Sequence, residues 1–139
     1  MPYSVDPQVA GELGEGTVMD SSVHPPAVSR VEFVLDSPET DDLVQSFPVY
    51  LISDLLADRV GQAGLTGIRL AHAEVRPSEE FLAAFGEVPH RNYLWLQLEN
   101  SEGADAWLDD SLELCVSDRL MRILEEGTLS DCIISEIKV

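Results

Sequence analysis

Residues 52–56 read ISDLL, and 64 positions later residues 116–120 read VSDRL. The similarity extends without a gap over positions 50–75 and 114–139. The identical pairs are Ser53/Ser117, Asp54/Asp118, Leu56/Leu120, Leu65/Leu129 and Val75/Val139. Each copy passes from a short apolar run to a serine and an aspartate, the pattern of a strand that leads into a capped helix. The chain is therefore predicted to contain a duplicated strand-helix-strand unit.

The details of each copy support that interpretation. Ser53 and Ser117 are predicted helix N-caps, and the aspartate that follows each one complements the helix dipole. Gly64 and Gly127 are the predicted helix ends. The second strands are predicted at Ile68–Val75 and Cys132–Val139.

The segments outside the two copies have patterns of their own. Val31, Phe33 and Leu35 alternate with other side chains, which indicates a half-buried strand. An acidic connection is expected over 36–48. Between the copies we expect a helix from Ser78 to Gly86, a strand at Tyr93–Leu98 and an acidic loop over 99–111. The predicted class is α+β, with a mixed or antiparallel sheet and about three helices.

The chain is predicted to divide into a leader and one domain. Residues 1–28 are rich in proline and glycine and have poor apolar periodicity, so we expect a loosely ordered leader. Residues 29–139 are expected to form a single α+β domain, since domains commonly have ~100–150 residues.

The charge limits the classes of partner. Twenty-six acidic residues stand against eight basic ones, for a formal net charge of −18. Such a chain should repel nucleic acids and anionic membranes, and it should attract a basic protein. No signal peptide or membrane-spanning run is recognisable, and two cysteines are typical of a reducing compartment, so a cytoplasmic location is expected.

The sequence favours no catalytic or metal chemistry. There is no nucleophile elbow of the G-x-S-x-G type, and Ser53 and Ser117 are explained as helix caps. Cys115, Cys132, His72 and His90 have no zinc-site spacing. We therefore expect no catalytic residue, no metal and no cofactor.

Four stretches together resemble a known family. They are VYLISD at 49–54, LTG at 65–67, the segment from Pro89 to Leu98, and LCVSDR at 114–119. Across roughly residues 30–135 the chain is similar to bacterial immunity proteins of polymorphic toxin systems, of the kind frequent in myxobacteria. Members of that family have a Val-Ser-acid-Arg helix start twice, with an aspartate-rich loop between. This chain departs from the pattern at Leu55, which stands where the second copy has Arg119.

The resemblance implies a non-catalytic cytoplasmic antidote, monomeric or homodimeric, that binds one cognate toxin. The net charge agrees with a basic toxin. Trp107 lies among acids and is the expected apolar anchor. The expected partner-binding residues are Asp41, Asp42, Glu102, Asp105, Trp107, Asp109 and Asp110.

Two other classes remain open from the residues alone. One is a small ligand-binding or enzymatic domain of unknown substrate, which would need a pocket with convergent polar groups. The other is an adaptor or structural domain that uses an exposed sheet edge.

Overall fold

The computed structural model of the chain describes residues 2–23, 26–36, 40–86, 91–99 and 103–137. It confirms the predicted α+β class. The three helices in these ranges are α1 (Asp54–Gln62), α2 (Glu79–Phe85) and α3 (Asp118–Leu124). The strands in these ranges are β1 (Tyr3–Asp6), β2 (Gln8–Val9), β3 (Gly11–Leu13), β4 (Val18–Asp20), β5 (Ala27–Arg30), β6 (Glu32–Leu35), β7 (Leu43–Ser46), β8 (Val49–Ser53), β9 (Ile68–Ala71), β10 (Glu74–Pro77), β11 (Tyr93–Leu98), β12 (Ala106–Leu108), β13 (Leu114–Val116) and β14 (Ile133–Glu136).

The strands form three sheets and a separate β4-β5 hairpin. The central sheet has the order β2-β7-β8-β11-β9, and the outer sheet has the order β12-β13-β1-β14. The small sheet has the order β10-β6-β3, with β10 and β6 parallel. Parallel and antiparallel pairs therefore both occur, whereas the sequence had left a mixed and an antiparallel sheet open.

The central sheet is buried on both faces, and β8 shows this best because all five of its residues are buried. Tyr50 and Ile52 point into a core shared with the outer sheet, α1 and α3. Val49 and Leu51 point into a second core, shared with the small sheet and Phe81 of α2. Side chains alternate across a strand, so one strand supplies both cores.

The two copies adopt the same arrangement in two different sheets. In the first copy β11 lies between β8 and β9, and in the second copy β1 lies between β13 and β14. Both middle strands are antiparallel to their neighbours. Leu96 pairs with Tyr50 and Leu70, and Val5 pairs with Leu114 and Ile134. The paired positions differ by 64 in both cases (50 to 114 and 70 to 134), so the tertiary structure repeats the register of the sequence.

The helix starts agree with the predicted caps. Ser53 Oγ accepts a hydrogen bond from the Leu56 amide at 3.4 Å, and Ser117 Oγ accepts one from the Leu120 amide at 3.2 Å. Ser78 caps α2 in the same way, and Gly86 ends that helix with a φ of 64°. The predicted insertion helix is thereby confirmed.

The structure corrects the expected leader. Residues 3–20 contain β1 to β4, and Val5 is only 2% exposed. The proline and glycine content of this segment predicted loops, and β1 is too short, at four residues, to show a clear strand pattern. Its pairing partners, β13 and β14, lie at the far end of the chain and could not be identified from the local sequence. Hydrogen bonds to two neighbours order β1, although its own sequence has little periodicity.

Four further segments differ from the predictions. The acidic connection over 36–48 contains β7, and the acidic loop over 99–111 contains β12. Both are short edge or near-edge strands whose pairing partners decide their conformation. The strand expected at Ile68–Val75 is divided into β9 and β10, which belong to different sheets. Of the strand expected at Cys132–Val139, residues 133–136 form β14, and Val139 lies outside the described residues.

Candidate functional site

Three of the expected partner-binding carboxylates lie inside the molecule. Asp41, Asp42 and Asp105 are 3%, 4% and 7% exposed. A buried carboxylate must be hydrogen bonded or paired, and all three are. They lie directly before β7 or β12, and the backbone amides of Asp42 and Asp105 donate to the carbonyl oxygens of Thr128 and Thr66 in the other copy of the repeat.

Asp105 joins the second copy to the first. Its Oδ2 accepts hydrogen bonds from the Thr66 amide at 2.8 Å and from Arg119 Nη2 at 2.9 Å. Its Oδ1 accepts a hydrogen bond from Ser117 Oγ at 2.6 Å. The hydrogen bond from Arg119, assisted by the one from Ser117, holds the pKa of Asp105 well below its usual range despite burial.

Asp42 makes the reciprocal connection. Its Oδ2 accepts a hydrogen bond from the Thr128 amide at 2.5 Å, and its Oδ1 accepts one from Arg91 Nε at 3.0 Å. A Cβ on Gly127 would lie 2.7 Å from Asp42 Oδ2, so a larger residue at this position would have to displace the carboxylate. Burial opposes ionisation of Asp42, but these hydrogen bonds outweigh it and lower its pKa.

Asp42 and Asp105 therefore form two aspartate clamps, a name we keep for these two carboxylates and their partners. Each clamp holds the loop that follows the helix of the opposite copy, at Thr128 or Thr66. Asp41 lies beside the first clamp and accepts hydrogen bonds from the amides of Ser130 and Asp131 at 3.1 and 2.8 Å. Burial is the largest influence on Asp41 and raises its pKa.

The clamps correct the partner-binding assignment of these carboxylates. Their oxygens already accept internal hydrogen bonds, so Asp41, Asp42 and Asp105 are not available to cationic groups of another protein. The sequence signal was misleading because an aspartate next to apolar residues has the same local composition in a solvated loop and in a buried clamp.

Trp107 lies on the side of the outer sheet that faces away from the core, which we call the Trp107 face. In the cross-strand register Trp107 pairs with Cys115, Cys115 with Ser4, and Ser4 with Ser135. One pleat further along, Asp6 pairs with Ile133. The members of the Trp107 face are Ser4, Asp6, Trp107, Cys115, Ile133 and Ser135. Cys115, in the middle of this face, is only 1% exposed, whereas Ile133 is 66% exposed and Trp107 is partly exposed, so the apolar surface open to a partner is that of Trp107 and Ile133.

The β12–β13 turn places acids beside this face. Asp109 Oδ1 accepts hydrogen bonds from the amides of Ser111 and Glu113 at 2.8 and 3.0 Å, which shapes the turn. Asp110 and Glu113 are exposed, whereas Asp109 is partly buried. Leu112 has a φ of 62°, a conformation that leucine rarely adopts and that often accompanies binding sites. The structure thus brings Trp107, Asp109 and Asp110 together, and Glu102 lies outside the described residues.

A pocket of about 300 Å³ opens where β1 ends and the chain passes from the outer sheet to the central sheet. Its lining includes Asp6, Glu113, Gln45 and Tyr50. Burial, followed by the charges of Asp6 and Asp109 among others, raises the pKa of Tyr50 to about 12. Sequence reasoning missed this pocket because its residues come from β1, β7, β8 and the β12–β13 turn, and no spacing along the chain connects them.

Two observations concern metal and thiol chemistry in the described part of the chain. It contains no cluster of three or more His, Cys, Asp or Glu side chains arranged to hold a metal ion. Both cysteines are unpaired, and burial raises the pKa of each thiol, in Cys132 to about 11. Such thiols are poor nucleophiles. In the same ranges, no helix is long and apolar enough to cross a membrane.

Comparisons with protein-family models, curated proteins and solved structures found no match to this chain. Any assignment of function therefore depends on the surfaces described above.

Proposed function

We propose that this chain is a non-catalytic binding protein that holds a basic protein partner against its Trp107 face, as an immunity protein holds its cognate toxin. The observation that carries the proposal is the composition of that face and its border. A partly exposed tryptophan and an exposed isoleucine lie beside the carboxylates of Asp6, Asp110 and Glu113.

The sign of the charge favours a basic partner. None of the strands β1, β12, β13 and β14 carries a lysine or an arginine. The whole chain adds a net charge of −18, which raises the rate of encounter with a cation-rich protein. An aromatic anchor surrounded by charge is a frequent centre of binding energy in such interfaces.

The remaining parts of the proposal follow from the family resemblance. The antidote would act in the cytoplasm as a monomer or homodimer, and it would block the active site or the substrate surface of its toxin. A toxin that acts on nucleic acid fits best, since such proteins present basic surfaces that an acidic face can cover.

The first experiment identifies the partner and measures its binding. Tagged protein captures partners from lysate of the source organism at low salt, and a stoichiometric basic protein is then purified and tested alone. Trp107→Ala should weaken its affinity by about 30-fold, because truncated hot spots cost ~2 kcal/mol or more. A melting curve of the variant checks that it is folded.

Charge reversal supplies the matched comparison. Asp110→Lys with Glu113→Lys should slow association roughly tenfold at low salt and much less at high salt. Asp58→Lys with Glu125→Lys changes the net charge equally, at exposed positions on or beside α1 and α3. Equal association rates for the two double variants, together with an unaffected Trp107→Ala affinity, would refute the Trp107 face as the docking surface. Co-expression should also protect cells from the purified partner's activity, and failure to protect would exclude the antidote role.

A further inference from the structure

We propose that the pocket at the end of β1 receives the guanidinium group of an arginine side chain of the basic partner. This inference rests on the proposed function and deepens it, because it names the partner residue that would enter next to the Trp107 face. The pocket and the face are continuous, since Asp6 and Ile133 belong to both.

The first support is a phenol whose hydroxyl group meets the pocket. Tyr50 is 4% exposed and lines the pocket. Its hydroxyl shares no hydrogen bond with the described residues, and burial and neighbouring charges alone account for its raised pKa. No fully enclosed side-chain oxygen or nitrogen in the described ranges lacks a hydrogen-bond partner, so the Tyr50 hydroxyl is not fully enclosed, and the pocket that Tyr50 lines is the open space beside it. Polar atoms in a largely buried wall normally have partners, and here a ligand atom can supply one.

The second support is the distribution of acceptors. Gln45 Nε2 donates to Asp6 Oδ1 at 2.7 Å and to the Pro7 carbonyl oxygen at 2.7 Å, which holds the Asp6 carboxylate at the pocket. Asp6 Oδ2 and the exposed carboxylate of Glu113 are then available to accept hydrogen bonds from a ligand. A guanidinium presents five N–H donors in a plane, and it pairs with carboxylates through two parallel hydrogen bonds.

The third support is the rest of the lining. Leu112, Leu114 and Ile133 supply apolar surface next to the acids. A pocket whose lining is mostly polar and acidic, with a smaller apolar part, fits a side chain with a methylene stem and a cationic head. Leu112 reaches its place in this wall through a backbone conformation that is unfavourable for leucine.

Arginine is favoured over lysine by geometry. An ammonium is a compact and strongly hydrated charge, whereas the guanidinium is weakly hydrated and can contact two carboxylates and a phenol in one plane. The pocket offers Asp6, Glu113 and Tyr50 from three different elements, which suits the broader group.

The test requires no partner protein. N-acetyl-L-arginine amide is titrated into ¹⁵N-labelled protein, and amide shifts are followed by NMR. We expect saturable shifts at Tyr50, Asp6 and Glu113 with a Kd on the order of millimolar, as befits one small cation. The matching citrulline derivative, which is neutral and nearly the same shape, should cause no saturable shift, and the lysine derivative should bind at least threefold more weakly.

Variants locate the site. Asp6→Asn with Glu113→Gln should weaken binding at least tenfold, and Tyr50→Phe should weaken it severalfold. Asp58→Asn removes an equivalent charge at an exposed position of α1, outside the pocket lining and the Trp107 face, and should leave the Kd unchanged. Non-saturating shifts spread over the acidic surface, equal binding of citrulline or of lysine, or an unchanged Kd in the Asp6/Glu113 variant would each overturn the proposal.

The two proposals fail separately. If the partner binds through Trp107 but the arginine derivative does not occupy the pocket, only this inference is lost. If the arginine derivative binds as expected while Trp107→Ala leaves partner affinity unchanged, the docking face is wrong and the guanidinium site stands.

Discussion

Asp105→Asn is the substitution that tests an aspartate clamp, because it removes the charge and almost no volume. Asp105 is 7% exposed and accepts hydrogen bonds from the Thr66 amide, from Ser117 Oγ and from Arg119. An asparagine retains one acceptor oxygen and turns an NH₂ group toward donors on its other side. We therefore expect the loss of at least one of the two hydrogen bonds from Thr66 and Ser117, and a weakening of the other.

The magnitude follows from those two bonds. Hydrogen bonds to a charged group contribute ~1.5–3 kcal/mol each, and a donor left unsatisfied by burial adds to the loss. The ion pair between Arg119 and Asp105 contributes little more, because the Arg119 side chain is 60% exposed and solvent screens its charge. The free energy of unfolding should fall by about 3 kcal/mol, which corresponds to a decrease in Tm of roughly 10 °C for a chain of this size.

The stability that Asp105 contributes should depend on pH, in the direction set by its lowered pKa. The pKa of Asp105 is lowered by folding, so its stabilising contribution is present above the unfolded pKa of ~3.9 and is lost as pH falls toward the folded value. The stability difference between wild type and Asp105→Asn should therefore be largest near pH 7 and should shrink below about pH 4.

Urea unfolding at pH 7 and at a series of acidic pH values measures both effects. Asp110→Asn is the matched control, since Asp110 is exposed on the adjacent turn and its replacement should change stability by less than ~0.5 kcal/mol. A loss below ~1 kcal/mol at pH 7, or a loss that does not shrink on acidification, would refute the clamp as described.

Two glycines and two cysteines allow further predictions. Gly61→Ala should stabilise the protein by ~0.5–1 kcal/mol, because Gly61 lies in α1 with open space where the added methyl group would lie, and glycine is a poor helix former. Gly11→Ala should destabilise it by ~2 kcal/mol or more, because a Cβ there would lie 1.9 Å from the Val34 carbonyl oxygen. Thermal unfolding of both glycine variants measures these opposite changes in stability. A Gly11→Ala protein as stable as wild type would contradict the close approach of β3 and β6. Cys115 and Cys132 should react with a thiol reagent far more slowly at pH 8 than glutathione does, because burial raises the pKa of both thiols. Rapid labelling of either cysteine in the folded protein would show that its surroundings open readily.

Local chemistry made much of the fold predictable. Ser53, Ser78 and Ser117 cap helices by accepting hydrogen bonds from amides three residues on, so the signal lies within one short segment. The pattern of Tyr93–Leu98 likewise predicts β11, because leucines alternate there with Tyr93, Trp95 and Gln97. The leucines face one core and the two aromatic residues face the other, as a strand between two cores requires. Of the candidate site, the sequence named Trp107, Asp109 and Asp110, which are neighbours along the chain, whereas Asp6, Glu113 and Tyr50 were not recognised.

By itself the sequence determined the repeat, the caps, the main helices and the acidic character of the protein, since each of these is a property of neighbouring residues or of composition. Only the tertiary structure decided that β1 completes the second copy across more than a hundred residues of chain. It also decided which aspartates face inward, because Asp105 and Asp110 are chemically alike and differ only in the partners that surround them. A long-range hydrogen bond supplies part of that difference: Thr66, from the first copy, meets Asp105 only after both copies have folded against each other.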